Sequence, residues 1–164
     1  MMGAIIKAID GFNKVLGIVL ALLLMVMSVV VFYQVFSRFV LDESLRWSEE
    51  LARYIMIWSV FIGSALALRK MELIAVDAIK EVLSEKYKNI LVIFIYTLSI
   101  VFLLVLVNYG FQLAGSVMGQ TSPAMRISMA WAYAAIPIGS IFMIINIIAV
   151  ILERALKLKG GSPV

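Results

Sequence analysis

Four stretches of this chain carry no charged side chain, and they constrain its fold more than anything else in it. They run from Val15 to Phe36, Tyr54 to Leu68, Asn89 to Met125 and Ile127 to Leu152. A helix rises about 1.5 Å per residue, so crossing a hydrocarbon layer takes roughly 20 apolar residues. Within that layer the backbone polar groups must be satisfied inside the segment, which favours helices. Composition agrees: 64% of the residues are hydrophobic, against about 45–50% apolar in soluble domains. The expectation is an all-α, polytopic membrane protein forming one membrane domain over residues 1–164, with spans at about 15–36, 48–68, 90–111 and 130–152.

Two of these spans need comment. The second has only 15 uncharged residues, Tyr54 to Leu68, so its helix must start near Ser48 and carry charged first turns in the headgroup region. The fourth contains Pro137, which predicts a kink because proline lacks an N–H and clashes with the preceding turn. The first run follows Lys7 and Lys14, as a signal peptide would. It is longer than a signal core of about 7–15 residues and no small-residue cleavage site follows, so it reads as a retained span.

Lys and Arg set the orientation. With the N-terminus inside, Lys7, Lys14, Arg69, Lys70, Lys80, Lys86, Lys88, Arg154, Lys157 and Lys159 are cytoplasmic, and only Arg38, Arg46, Arg53 and Arg126 lie outside. The positive-inside rule then predicts N-in, C-in. Between spans two and three, Val76, Ile79, Leu83 and Tyr87 share one helical face while Asp77, Lys80, Glu81, Ser84 and Lys88 take the rest. That pattern predicts an amphipathic helix in the membrane interface at about 74–88.

What the chain lacks narrows its chemistry. It has no cysteine and no histidine. Thiol chemistry, disulfides, iron–sulfur ligation and histidine-based acid–base or metal chemistry are excluded within it. The spans are almost without ionisable groups, where pumps and transporters commonly place the carboxylates of their ion paths. No metal, cofactor, enzymatic activity or nucleic-acid partner is expected.

The charge that does occur near the membrane is concentrated in "QVFSRFVLDESLRWSEELARY", Gln34 to Tyr54. Asp42 and Arg46, Arg46 and Glu50, and Glu49 and Arg53 are each four apart, a spacing that pairs opposite charges on a helix. Trp47, Leu51, Tyr54 and Trp58 form a parallel apolar stripe. A solvated cap of ion pairs would explain the knot. A docking surface would too, since Arg and Trp are enriched at binding hot spots, and its candidate residues are Arg38, Trp47, Glu49, Glu50, Arg53 and Trp58. Small residues recur at spacing four: Ser59, Gly63 and Ala67 on span two, Gly17 and Ala21 on span one. Such residues let helices approach closely, within a four-helix bundle or against a partner.

Taken together, "QVFSRFVLDESLRWSEELARY", "FIGSALALRK", "IAVD" and, from Gly119 to Gly139, "GQTSPAMRISMAWAYAAIPIG" resemble the small, DctQ-like membrane subunit of TRAP (tripartite ATP-independent periplasmic) transporters. The resemblance implies four spans with both termini cytoplasmic, in a bacterial or archaeal inner membrane. It implies a heterodimer with a large membrane subunit that works as an elevator and carries the substrate and sodium sites. It also implies a periplasmic binding protein delivering an organic acid, with the small subunit as a non-catalytic scaffold among membrane lipids. This chain departs from the pattern at Leu73, where many members have a histidine, and at Arg126 and Met129. The rival reading is a homo-oligomeric small exporter or channel, which the missing intramembrane carboxylate disfavours.

Overall fold

A computed structural model describes residues 2–43, 45–70 and 85–158. The described residues form three long helices, α1 (Met2–Val40), α2 (Arg46–Lys70) and α3 (Glu85–Ser116). A single turn, α4 (Ala130–Tyr133), and a last long helix, α5 (Ala135–Leu158), follow. Four helical segments are long and apolar enough to cross a membrane: Ile5–Val40, Arg46–Lys70, Ile93–Ser116 and Ala130–Glu153. The interfacial helix expected at about 74–88 lies outside the described residues except for its last turn, and from Glu85 the chain is already in α3. The first helix is longer than its uncharged run and the third starts before its own, because helix ends need not coincide with the ends of an apolar stretch.

Among the described residues the four long helices do not all pack on one another. α2 and α5 pack together in the middle. α1 lies along α2 and touches α5 over a short stretch, while α3 packs on α5 and the α4 turn; among the described residues it meets neither α1 nor α2. Burial follows this order. Half of the most apolar 18 residues of α5 are buried, against 6% of those of α1.

α1 docks by a regular seam. Ile6, Ile9, Asn13, Leu16, Leu20, Leu23, Met27, Val30, Gln34 and Ser37 are buried or half-buried, and apart from Gly3 and Gly17 its other described side chains are exposed. The steps alternate three and four, the seven-residue repeat by which two helices keep one face in contact. α3 repeats the device with buried Tyr96, Leu103 and Gly110 at intervals of seven. Tyr96 and Leu103 join Ala65, Met143, Ile147 and Val150 in the principal apolar cluster.

Two glycines set how closely the central helices approach. A Cβ on Gly139 of α5 would stand 2.5 Å from the Phe61 Cβ of α2, and one on Gly110 of α3 would stand 2.8 Å from the Pro137 Cδ. Neither distance is tolerable, so both sites need a residue without a side chain. Pro137 itself is buried. The fourth span's helix is interrupted at Ala134, one turn before Pro137, whose ring nitrogen has no hydrogen for the Tyr133 carbonyl.

Candidate functional site

The charged knot begins where α1 ends. Asp42 takes a left-handed conformation (φ 54°), which Asp tolerates better than most residues. The Ser37 carbonyl accepts the N–H groups of Leu41 and Glu43 at 3.1 and 3.2 Å, and the Ser37 hydroxyl donates to the Glu43 carbonyl at 3.1 Å. This turn places Asp42 off the helix that carries Arg46, so the Asp42–Arg46 pair expected from spacing four is not made. The ladder reduces to one ion pair among the described residues of the knot, Glu49–Arg53 at 3.4 Å, with both side chains more than 60% exposed.

Glu50, by contrast, turns inward. It is 8% exposed and does not pair with Arg46. Its Oε2 accepts the backbone N–H groups of Ala124 and Met125 at 2.9 and 3.2 Å, and its Oε1 accepts the Tyr54 hydroxyl at 2.9 Å. The donors come from a hairpin between α3 and α4. Thr121 and Ser128 form an antiparallel bridge, the Ser122 N–H donates to the Ile127 carbonyl at 2.8 Å, and the Met129 N–H donates to the Gln120 carbonyl at 2.9 Å. At the tip the Arg126 N–H donates back to the Ser122 carbonyl at 3.1 Å, and Arg126 takes φ 55°. Such a one-turn helical tip leaves its first N–H groups without partners inside the turn. Pro123 contributes none, and Glu50 satisfies the next two from across the fold. A carboxylate held by several backbone N–H groups makes charge-assisted bonds, stronger than neutral ones.

Glu50 and the hairpin enclose a cleft of about 550 Å³, also lined by Arg46, Glu49, Arg53, Tyr54 and Tyr133. Its charges nearly balance, so it suits a partner with both signs of charge better than a small anion. Among the described residues no group of carboxylates converges in a way that could hold a metal ion.

The other residues singled out in the sequence fall in different places. Arg38 is exposed on the last turn of α1, its guanidinium 6.0 Å from the Phe39 ring centre, and Trp47 is 41% exposed. Trp58 donates its indole N–H to the Trp131 carbonyl at 3.0 Å, fastening α2 to α4. Neither Arg38, Trp47 nor Trp58 lines the cleft. Ser59 is buried, Ala67 is half-buried, Gly63 faces a Leu20 methyl 3.7 Å from its would-be Cβ, Gly17 has open space there, and Ala21 is exposed. The hairpin residues Ser122 to Met125 were visible as a motif. Their pairing with Glu50, more than 70 positions away, has no local signature.

A second polar centre sits at the end where α1 begins and α5 ends. Asn13 and Asn146 exchange hydrogen bonds at 2.6 and 2.9 Å, and the Asn146 amide also donates to the Ala65 carbonyl at 2.7 Å. Arg69 reaches both Glu153 oxygens and Asp10. Phe12 packs edge-on against Phe142. These contacts join α1, α2 and α5.

Comparison with known proteins finds relatives along nearly the whole chain. A family described as "Tripartite ATP-independent periplasmic transporters, DctQ component" matches residues 27–157. The chain is similar to the sialic acid TRAP transporter small permease protein SiaQ of Vibrio cholerae, 25% identical over 95% of this chain and 88% of SiaQ. It is 27% identical to a putative TRAP transporter small permease protein of Haemophilus influenzae, over 82% of each chain. It is also 26% identical, over 79% of its length, to the sialic acid TRAP transporter permease protein SiaT of H. influenzae, of which it spans only 20%.

Proposed function

The chain belongs to the DctQ component family of the tripartite ATP-independent periplasmic transporters, and we propose that it is the small permease subunit of a sodium-coupled TRAP transporter for an organic acid. The observation that carries this reading is the match along nearly the whole chain to a protein named as a small permease. The likeness to one fifth of SiaT supports a large membrane subunit as partner, because there a segment like this one is continuous with a much longer permease. Sialic acid, which SiaQ and SiaT carry in their names, is an organic acid, and an acid of that class is the substrate proposed here.

In this reading the chain is the static part. Its apolar runs are uncharged, which suits a scaffold better than an ion path. Glycine-dependent contacts at Gly110 and Gly139 and the polar ties at both ends favour a rigid body against which an elevator-type subunit can move. The distribution of Lys and Arg supports N-in, C-in, so the Glu50 cleft faces the periplasm, where the large subunit or a docked binding protein can reach Arg46, Glu49 and Arg53.

The test is affinity purification of the tagged chain from native membranes, with mass spectrometry of what accompanies it. One large polytopic protein in near-equal amount supports the proposal. Recovery of this chain alone as an ion-conducting homo-oligomer overturns it. Replacing Glu50 and Arg53 together by alanine should then weaken recovery of the large subunit or organic-acid uptake; unchanged recovery and uptake remove the knot from the interface.

A further inference from the structure

We propose that the groove between α1 and α2, at the end of the molecule where α1 begins and α5 ends, binds an anionic phospholipid. The groove has a volume of about 510 Å³, within the roughly 300–1,000 Å³ of small-molecule sites. Its mouth is formed by Asp10, Lys14, Arg69 and Lys70, and its inner wall by Gly17 and Gly63 with Leu20 and Leu66 beside them.

Its position relates it to the bilayer whichever way the chain is oriented. Lys14 is the last charged residue before the uncharged run that starts at Val15, so the groove passes from headgroup level into the hydrocarbon. The small residues there are not a tight packing contact. A Cβ at Gly17 would meet nothing within 4 Å, and one at Gly63 would meet only a Leu20 methyl at 3.7 Å. The missing side chains leave a slot that opens toward the lipid and is walled by apolar groups, which suits an acyl chain.

The charge at the mouth selects the headgroup. Arg69 is held by Glu153 and Asp10. Lys14 is exposed and makes no ion pair among the described residues. Lys7 lies two turns earlier on the same face of α1, and Lys70 adds a further cation. Among the described residues around the mouth, Lys7, Lys14 and Arg69 alone outnumber Asp10 and Glu153, so the excess is positive without counting Lys70. A long basic side chain at a helix end reaches naturally to headgroup level, and an anionic headgroup answers the excess where a zwitterionic one does not.

The experiment uses the full-length chain, together with any subunit that purifies with it, in nanodiscs of phosphatidylcholine with or without phosphatidylglycerol. Native mass spectrometry reads retained lipid and thermal unfolding reads stability. Phosphatidylglycerol should remain as discrete adducts and raise the unfolding temperature. Lys14→Gln should weaken retention about fivefold, the effect of one basic residue near an anionic surface. Gly17→Leu fills the slot while installing a better helix former, so it should abolish the adducts without lowering the unfolding temperature in phosphatidylcholine alone. Equal behaviour in the two lipids overturns the proposal, as does retention by Gly17→Leu. So does an equal shift with glycerol phosphate in place of lipid, or a groove that takes no lipid because a second subunit covers it.

Discussion

At the knot end a single carboxylate, Glu50, is buried against the backbone of a hairpin, while Arg38, Arg46, Glu49 and Arg53 stay on the surface. At the terminal end the arrangement is reversed: one guanidinium, Arg69, holds the two carboxylates of Asp10 and Glu153, and two buried asparagines satisfy each other. Both ends tie together segments far apart in sequence. They differ in what remains available. The terminal clamp uses Arg69, Asn13 and Asn146 internally and fixes where α1 lies against α2 and α5, with Lys14 left on the surface beside it. The knot uses one acid to hold the hairpin and leaves its other charges free to meet another protein. A substitution should therefore damage the fold at the terminal end and, Glu50 apart, association at the knot.

The largest expected effect lies between the two ends, where the central helices touch. Gly139→Leu would drive a side chain into Phe61, at a cost of about 1–3 kcal/mol or more for overpacking a core. Thermal unfolding in detergent should show it as the steepest loss of any single change, at whichever end the chain is otherwise altered. If unfolding is unaffected, the close approach of α2 and α5 is wrong. Next comes Glu50→Ala, which leaves the Ala124 and Met125 N–H groups without an acceptor. Hydrogen exchange at those two amides should accelerate sharply while α1 and the Asn13–Asn146 region keep their protection. Acceleration spread evenly over the molecule would mean that the two ends are not separate units.

Much of this was legible in the sequence, and the reason is physical. Uncharged runs of about 20 residues in lipid favour helices, whose backbone polar groups are satisfied within the segment, so the spans followed from composition. The seam on α1 did not, because in a helix apolar on every face hydrophobicity has no period to read. Its markers were the polar residues Asn13, Gln34 and Ser37, which lie on that seam, but Ser28, equally polar, faces away from it. The charge ladder read from spacing four failed where the chain leaves the helix at Asp42. It failed again at Glu50, where backbone donors from a remote hairpin replaced the neighbouring guanidinium. Gly110 and Gly139 were equally silent, since a glycine's need for space shows only when the opposing helix is in place.

A smaller effect separates the terminal clamp from simple packing. Asn13→Ala and Asn146→Ala each remove one half of a reciprocal amide pair. Hydrogen bonds between membrane helices average about 0.6 kcal/mol in such cycles, with a ceiling near 1.7 kcal/mol. The double-mutant cycle should fall at the upper end of that range, because Asn146 is fully buried and also serves the Ala65 carbonyl. A coupling of zero would mean that α1 is positioned by its apolar seam alone.

The smallest effect on stability is the most informative about the knot. Glu49 and Arg53 form an exposed pair, and pairs of this kind contribute only about 0.2–1 kcal/mol. Glu49→Gln with Arg53→Gln should leave the unfolding temperature nearly unchanged and leave the Glu50 hairpin protected from exchange. If the exposed charges serve association, the same double variant should recover less of its large partner, and more so as ionic strength rises, since screening weakens the remaining charges. Normal recovery at all salt concentrations would confine the knot to its structural task of anchoring the hairpin. The contrast between an end that holds the fold and an end that meets a partner would then be lost.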